Sequence, residues 1–339
     1  MRGMKIVFLS RCVVVLFCAS ALTSLLIIKM ICSKYVLQED SYYRWKQRST
    51  SFSKLSEHKS GVDFMSLQNS NYKEPICEKD IVLIILVTSA PWHLKQRNTI
   101  RNTWAKKQQD KKYPWQTFFL IGHPWADGIS PEFVKEQELF GDILLGNYAD
   151  CYRNLTLKVM HGLWWTLKDC EAQYILKTDD DCFVNSDRLV RFLVEHNTVR
   201  HDLYIGSVFA PGKRQVIRDP ESKWYVSKED FLEDNYPPYA SGIGYLLSLD
   251  AAYRILTAAQ YIPVLPVEDA YVGILANKVG LSVKSSGRFT KYNINWRVCN
   301  YRYLMVIHHL DSKEMHMAHQ NMIKARTACS DTAEIIKWK

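Results

Sequence analysis

The chain has 339 residues, of which 47% are hydrophobic, enough for one large or two small domains. Its net charge of +9 would suit a nucleic-acid-binding protein, but residues 1–60 hold ten Lys/Arg and only three acidic residues, so seven of the nine positive charges lie there. Residues 61–339 are left with a net charge near +2 and no long basic stripe, so no nucleic-acid partner is expected.

The first predicted element is a membrane span over residues 12–31. Residues 12–28 carry no charge over 17 positions, and Lys29 can snorkel, so the helix extends towards the roughly 20 residues that cross a bilayer. A cleaved signal peptide is the alternative, but the run ends in Leu25-Leu26-Ile27-Ile28 and not in the small residues of a cleavage site. The basic residues before the span favour a cytoplasmic tail over residues 1–11 and a lumenal remainder.

Residues 32–76 are rich in Ser, Lys, Gln and Asn and lack sustained periodicity, which predicts a solvated lumenal stem. No further linker follows, so one catalytic domain is predicted over residues 77–339. Its six cysteines permit disulfides in an oxidising compartment, but their spacing leaves the pairing open. The sequon Asn154-Leu155-Thr156 predicts glycosylation of Asn154.

Strands and helices alternate after residue 80. The apolar run 81–87 predicts a strand buried on both faces, a helix is predicted over 93–107, and further strands at 117–121, 143–145 and 174–177. A stripe with a spacing of four residues predicts another helix; it consists of Leu155, Val159, Leu163 and Leu167. This order indicates the α/β class.

Three acidic residues, Asp179-Asp180-Asp181, follow the strand predicted at 174–177 and precede the apolar pair Phe183-Val184. Adjacent carboxylates repel one another, more strongly when partly buried, and a divalent cation relieves the repulsion. In an extended segment Asp179 and Asp181 share a face, so they form half of a cation site. A solvated acidic turn is the alternative.

Three other segments carry candidate site residues. Asp269, in Glu268-Asp269 before an apolar helical pattern, fits a general base held on a rigid element, although acids are also ordinary at helix N-termini. Residues 236–245 form a turn-rich aromatic stretch suited to sugar rings, and aromatic packing explains it equally well. His309 is a candidate third metal ligand.

Several motifs in residues 77–310 belong together. They are Leu86-Val87-Thr88-Ser89, Arg97-x-x-Ile100-Arg101-x-Thr103-Trp104, Phe118-Phe119-Leu120-Ile121-Gly122, Gly141-Asp142-Ile143, Asp150-x-Tyr152-x-Asn154-Leu155-Thr156-Leu157-Lys158, Lys177-Thr178-Asp179-Asp180-Asp181, Lys223-Trp224-Tyr225-Val226, Tyr236-Pro237-Pro238-Tyr239-x-Ser241-Gly242-x-Gly244-Tyr245 and Glu268-Asp269-x-Tyr271-Val272-Gly273. In this order the set resembles the family of β1,3-galactosyltransferases and β1,3-N-acetylglucosaminyltransferases.

The resemblance implies a type II Golgi membrane protein with a GT-A (Rossmann-like) α/β catalytic domain behind a single N-terminal transmembrane helix. It implies a UDP-sugar donor, Mn²⁺, and a glycan acceptor on a glycolipid or glycoprotein. Asp179 and Asp181 would form a D-x-D metal motif completed by His309, with Asp181 favoured as the direct ligand. Asp269 would deprotonate the acceptor hydroxyl, and one displacement would invert the donor's α-linkage to β.

The resemblance also implies the remaining site residues. The donor-binding residues would be Thr88, Arg97, Arg101, Asp179 and Asp180. The acceptor or sugar-binding residues would be Trp224, Tyr236, Ser241, Gly242 and Glu268.

Galactose is the donor sugar favoured by Ser241, Tyr245 and the run Lys223-Trp224-Tyr225, with N-acetylglucosamine or N-acetylgalactosamine as the alternative. A catalytically silent Golgi sugar-binding relative is a hypothesis of a different class. The presence of Asp179, Asp181 and Asp269 argues against it, because a silent relative is expected to lose such carboxylates.

Overall fold

The computed structural model describes residues 61–106, 112–124, 128–292, 297–329 and 338. They all belong to one compact unit, Lys59–Lys339. The predicted membrane span, residues 12–31, lies outside the described residues. Within the described part, no helix has both the length and the apolar character needed to cross a bilayer.

The folded unit begins earlier than the predicted stem boundary at residue 76. The backbone N–H of Val62 donates to the carbonyl of Ala259 at 2.7 Å, and Phe64 stacks on Trp164 with ring centroids 6.2 Å apart. Val62, Phe64 and Leu67 are buried. Residues 61–76 are therefore part of the catalytic unit; their few apolar residues gave no periodic signal because the helix they form is four residues long.

The described residues form an α/β unit. Its strands are β1 (Ile81–Thr88), β2 (Trp115–His123), β3 (Ile143–Ala149), β4 (Ala172–Asp179), β5 (Phe183–Val184), β6 (Tyr204–Val208), β7 (Ala240–Ser248), β8 (Lys284–Ser285), β9 (Phe289–Thr290) and β10 (Val306–Ile307). Its helices are α1 (Phe64–Leu67), α2 (Leu94–Asn102), α3 (Pro131–Phe140), α4 (Leu155–Asp169), α5 (Ser186–Glu195), α6 (Leu249–Ala259), α7 (Glu268–Lys278) and α8 (Ser312–Ala328). The predicted α/β class is confirmed.

A mixed sheet in the order β3-β2-β1-β4-β7-β6-β8 forms the centre of the unit. The strands β1 to β4 are mutually parallel, whereas β7 is antiparallel to both of its neighbours. Every residue of β1 is buried, as its continuous apolar run predicts. The other three predicted strands are confirmed with extended ends.

The helix predicted over 93–107 is shorter in the structure and ends at Asn102. The indole N–H of Trp104 donates to the carbonyl of Cys182 at 3.0 Å, and Trp104 is buried. Turning this side chain into the core requires the backbone to leave the helical path, which the sequence pattern does not reveal.

The stretch 236–245, predicted to be turn-rich, contains the first part of strand β7. Gly206 and Gly244 lie on paired strands, and a Cβ at Gly206 would lie 2.8 Å from the Gly244 carbonyl oxygen. These glycines therefore permit close approach of strands. Ser241 and Gly242 lie in β7, which has a strand on each side in the sheet, and not in a turn.

The sheet changes direction at β1, because the chain continues from β1 to β2 on one side and returns to β4 on the other. Such a switch point opens a crevice at the carboxyl ends of the strands, where nucleotides commonly bind. Thr88 and Asp179 end these strands and are direct register partners. A second sheet, β5-β10-β9, begins just after the acidic residues and leads from β10 into His308.

Gly273 sets the distance between α7 and the segment before β7. A Cβ at this position would lie 2.3 Å from the Cβ of Tyr239 and 3.2 Å from the Pro238 carbonyl oxygen. We expect Gly273→Ala to lower the free energy of unfolding by about 2 kcal/mol, because overpacking costs more than the helix propensity of Ala returns. Urea denaturation of the full-length protein measures this. The control is Gly212→Ala, whose Cβ would meet nothing within 4 Å; equal stability of the two variants would contradict the prediction.

Candidate active site

Lys177 connects the two halves of the site. Its ammonium donates to Asp179 Oδ1 at 2.7 Å and to the Gly242 carbonyl oxygen at 2.7 Å, and lies 3.3 Å from Glu268 Oε2. Burial lowers the pKa of Lys177, but the charges of Asp179 and Glu268 outweigh it, so the pKa is raised and the group stays cationic. Sequence reasoning did not select Lys177; a lysine in a buried strand, two residues before an acid on the same face, was the available signal.

Asp179 already has two partners. Besides Lys177, the Thr88 hydroxyl donates to Asp179 Oδ1 at 2.5 Å. The predicted donor-binding pair Thr88 and Asp179 therefore meets at the crevice. Because Lys177 neutralises Asp179, direct metal ligation by Asp179 stays a prediction that this geometry does not favour.

Asp180 lies in the turn that follows β4, so the alternation expected of an extended segment does not set its direction. Its Oδ2 accepts from the Ser89 hydroxyl at 2.6 Å and lies 2.8 Å from His93 Nδ1. Asp180 raises the pKa of His93 through this hydrogen bond, against the opposing effect of burial. Asp180 thus joins β4 to the loop between β1 and α2, and a contact with the donor stays a prediction.

Asp181 faces His308. The Nδ1 atom of His308 lies 3.3 Å from the Lys291 carbonyl oxygen, and Nε2 lies 3.3 Å from Asp181 Oδ2. Because a carbonyl only accepts, Nδ1 carries the proton, and the Nε2 lone pair then faces a carboxylate. A proton or a metal ion satisfies both groups, and a carboxylate–imidazole pair with an oriented ring suits Mn²⁺.

The same pair shifts two pKa values. Burial lowers the pKa of His308, but the hydrogen bond and charge of Asp181 outweigh it and raise the pKa overall. Burial raises the pKa of Asp181, and the His308 interaction reverses this and lowers it. Asp181, His308 and Cys182 offer ligand atoms within 4.8 Å of one another. The Cys182 thiol donates to the Ile243 carbonyl at 3.2 Å, and burial raises its pKa, so it is a poor ligand.

His309, the predicted histidine ligand, is exposed and has a positive φ of 66°. Its ring centroid lies 5.8 Å from that of His308. The structure thus brings His308 to Asp181, and ligation by His309 stays a prediction. Because His308 and His309 are adjacent in the sequence, no periodic pattern indicates which of the two faces Asp181.

Asp269 is half-buried at the start of α7. Its Oδ2 accepts from the Gly242 backbone N–H at 2.9 Å, and its Oδ1 from the N–H of Ala270 at 2.9 Å. Burial raises the pKa of Asp269, and the hydrogen bond from Gly242 and the charge of Lys177 offset part of the effect. Each oxygen keeps a lone pair for a further proton.

Glu268 is 3% exposed and fully paired. Its Oε1 accepts from the Tyr245 hydroxyl at 2.5 Å, and Oε2 faces Lys177. Burial raises the pKa of Glu268 to about 7, partly offset by Lys177. This environment indicates that Glu268 supports β7 and Lys177, while its contact with sugar stays a prediction.

Arg97 and Arg101 are the two predicted donor-binding residues that the structure does not bring to the crevice surface. Arg97 is fully buried and donates to Glu136, Ser89 Oγ and the carbonyls of Ala90 and Pro91. These bonds use the donors of its guanidinium. The described contacts favour a role in shaping the loop after β1.

Arg101 is similarly engaged. It pairs with Glu136 at 2.7 Å and with Asp142 at 2.7 Å, and it lies over the ring of Phe140 at 4.0 Å. Contact of either arginine with the donor stays a prediction.

Aromatic side chains lie on the Asp269 side of the site. Trp224 is 47% exposed, and the ammonium of Lys223 lies 4.7 Å from its ring centroid and 5.1 Å from that of Tyr152. The charge of Asp269 contributes to a raised pKa of Tyr152, after the larger effect of burial. Tyr236 is buried, and within the described part its hydroxyl has no hydrogen-bond partner. Trp224 thus offers an exposed ring to a ligand, whereas the Tyr236 hydroxyl is buried beneath the surface.

The predicted glycosylation site is engaged in the fold. Asn154 Nδ2 donates to the Ala149 carbonyl at 3.0 Å, and Thr156 is buried with its hydroxyl donating to the Leu265 carbonyl at 2.6 Å. A glycan would be attached to the same Nδ2 atom, which keeps one N–H after attachment, so glycosylation of Asn154 stays a prediction.

Four of the six cysteines in the part that the structure describes form disulfides. The disulfides are Cys77–Cys170 and Cys299–Cys329. Cys151 and Cys182 are free. The pairing could not be read from the sequence because it depends on which strands become neighbours.

Comparisons with known proteins agree on one family. A family model described as galactosyltransferase matches residues 95–286. β1,3-Galactosyltransferase 1 of Homo sapiens is 35% identical over 250 residues, covering 73% of this chain and 76% of that protein. β1,3-Galactosyltransferase 4 of Rattus norvegicus is 38% identical over 268 residues, covering 70% and 71%.

Two solved structures also align. An apo structure of the bifunctional glycosyltransferase WbbM has a TM-score of 0.41 at 10% identity and covers 75% of this chain and 52% of that one. The galactosyltransferase LgtC, with donor and acceptor sugar analogs, has a TM-score of 0.36 at 12% identity and covers 74% and 98%. Similarities this weak support no argument.

The chain therefore belongs to the galactosyltransferase family. With relatives that are β1,3-galactosyltransferases, it is a glycosyltransferase that acts on a sugar donor and an acceptor.

Proposed function

We propose that this chain transfers galactose from UDP-galactose to a hydroxyl of an acceptor sugar, in β1,3 linkage and with inversion, and requires Mn²⁺. The observation that carries the proposal is the double role of Gly242. Its N–H binds Asp269, and its carbonyl binds Lys177, which in turn binds Asp179 at the nucleotide end of the sheet. One residue of a rigid strand thus fixes a proton acceptor relative to the donor crevice.

The reaction needs one proton transfer and one displacement. Asp269 takes the proton of the acceptor hydroxyl, whose oxygen forms a bond to the anomeric carbon. The bond from that carbon to the β-phosphate oxygen breaks, and its electron pair leaves with UDP. Attack from the side opposite UDP converts the α-linkage of the donor to β.

The residues present fit a divalent ion. Asp181 and His308 would hold it. The alternatives expected from the sequence are His309 in place of His308, and Asp179 as a further ligand. When bound, the ion neutralises charge on the diphosphate. Thr88, Asp179 and Asp180 border the crevice for the nucleotide, while Trp224, Tyr236 and the Ser241-Gly242 segment border the sugar.

The acceptor is proposed to be a glycan on a glycolipid or glycoprotein in the Golgi lumen. The uncharged stretch 12–28 supports a single-pass type II anchor. The two disulfides support an oxidising compartment.

A donor panel tests the proposal. The full-length protein in detergent is assayed with Mn²⁺, UDP-galactose, UDP-N-acetylglucosamine and UDP-N-acetylgalactosamine, and with acceptors ending in N-acetylglucosamine or galactose. Turnover with UDP-galactose alone supports the proposal. Turnover with an N-acetylated donor would replace galactose, and glycan binding without any turnover would favour a silent relative.

We expect kcat to rise with pH along an acid limb whose midpoint lies above the ordinary pKa of an aspartate. The base must be deprotonated to act, and burial raises the pKa of Asp269, so protonation removes activity at a higher pH than for an exposed carboxylate. Rates at saturating donor, acceptor and Mn²⁺ between about pH 4 and about pH 8.5 measure this. A rate that stays constant down to about pH 4, the ordinary aspartate range, would contradict it.

A further inference from the structure

Lys291 is a cation that lies beside the Asp181–His308 pair. It takes no part in the proton transfer that we propose for Asp269. It follows β9, and β9 pairs in parallel with β10, which leads into His308. The N–H of His308 donates to the Thr290 carbonyl at 3.1 Å, and the Lys291 carbonyl lies 3.3 Å from His308 Nδ1. Lys291 and His308 therefore leave the small sheet side by side.

The ammonium of Lys291 lies 3.3 Å from the centroid of the Phe209 ring. Phe209, the residue after β6, packs against Tyr239, the residue before β7, with ring centroids 5.0 Å apart. Among the residues that the structure describes, no carboxylate forms an ion pair with Lys291. Other buried cations of the site do have one: Lys177 pairs with Asp179, and Lys158 with Asp150. An aromatic face offers a half-buried ammonium only part of what a counter-ion would supply.

The contact of Phe209 with Tyr239 places the ammonium of Lys291 near the start of β7, whose Gly242 N–H donates to Asp269. Burial lowers the pKa of Lys291, and Asp269 is the group that opposes this effect. The side chain of Lys291 therefore reaches the Phe209–Tyr239 pair before β7, while its backbone carbonyl lies beside the His308 ring. A negatively charged ligand that reaches both Asp269 and His308 would therefore contact the ammonium of Lys291.

Resting on the proposed function, we propose that Lys291 binds the β-phosphate of the UDP-sugar and stabilises the charge that gathers on UDP as it leaves. When the bond between the anomeric carbon and the β-phosphate oxygen breaks, the electron pair remains on that oxygen. An ammonium with no fixed carboxylate partner can move from the Phe209 ring to this oxygen without breaking an ion pair. Lys291 itself gains or loses no proton in this step.

The test compares two nucleotides that differ by the β-phosphate. Titration calorimetry measures binding of UDP and of UMP to the full-length protein with Mn²⁺, for the wild type, Lys291→Met and Lys291→Arg. We expect Lys291→Met to weaken UDP by about tenfold, the size of a charge-assisted hydrogen bond, and UMP by less than about twofold. Lys291→Arg retains the charge and should recover most of the UDP affinity.

The matched control is Lys278→Met, an exposed lysine at the end of α7, and thermal unfolding reports on the fold of each variant. Unchanged UDP affinity in folded Lys291→Met, or equal weakening of UDP and UMP, would overturn the inference. If Lys291→Met does not fold, Lys291→Gln replaces it, with the same expected outcomes. A wild type that binds no UDP at all would overturn the proposed function, which separates the two failures.

Discussion

Asp269→Asn is expected to reduce kcat by about 10²- to 10⁴-fold, the usual contribution of a general base, and to leave UDP affinity within about twofold. The amide retains the shape of the carboxylate and an oxygen for the Gly242 N–H, but it cannot accept the acceptor's proton. Steady-state kinetics with UDP-galactose and calorimetric titration of UDP measure the two effects. An unchanged kcat would show that Asp269 is not the general base and that another residue accepts the proton.

Glu268→Gln is the matched control, because Glu268 is the adjacent carboxylate on the same helix. Its oxygens face Tyr245 and Lys177, so the variant alters support of β7 while Asp269 keeps its proton-accepting oxygens. We expect a smaller loss of kcat than for Asp269→Asn. A larger loss, with the fold retained, would assign proton transfer to Glu268.

Asp181→Ala and His308→Ala are expected to remove the Mn²⁺-dependent part of UDP binding. Each variant deletes one of the two facing groups that fit the ion and leaves its partner without a counterpart. For a metal ligand we expect UDP affinity to fall by at least about 10- to 100-fold, since loss of even a supporting group has that effect. Calorimetric titration of UDP with and without Mn²⁺ measures the change.

His309→Ala is the control supplied by the chain itself. His309 is adjacent to His308 and exposed, so its removal should leave the Mn²⁺-dependent affinity within about twofold if His308 is the ligand. The reverse result, a loss with His309→Ala and none with His308→Ala, would restore the ligand predicted from the sequence. Normal UDP affinity in Asp181→Ala would reject Asp181 as a ligand.

The sequence predicts the parallel half of the fold because its strands are long apolar runs. β1 is buried along its whole length, and a buried parallel strand needs apolar side chains on both faces. The antiparallel half escapes this signal. β7 begins with Ala240-Ser241-Gly242, and its glycines, which allow close approach of neighbouring strands, are also the residues of turns.

The site is predictable where spacing alone defines geometry. Thr88 meets Asp179 because both end neighbouring strands. The shared face of Asp179 and Asp181 stays a prediction, because β4 ends at Asp179 and the chain turns there, so strand alternation does not extend to Asp181. Partners that are distant in sequence are not predictable in this way. Lys177 meets Glu268 and Gly242 only through the pairing of β4 with β7 and the packing of α7, and Arg97 finds Glu136 through the packing of α2 and α3.

The disulfide Cys77–Cys170 lies at the amino ends of the two strands that carry Thr88 and Asp179 at their other ends. A slip of β4 by one residue along β1 would set Thr88 beside Asp180 and turn every side chain of β4 to the opposite face. The covalent link opposes such slippage from the far end of the sheet, well away from any substrate. Reduction of this bond should therefore loosen the alignment of the nucleotide crevice before it unfolds the core.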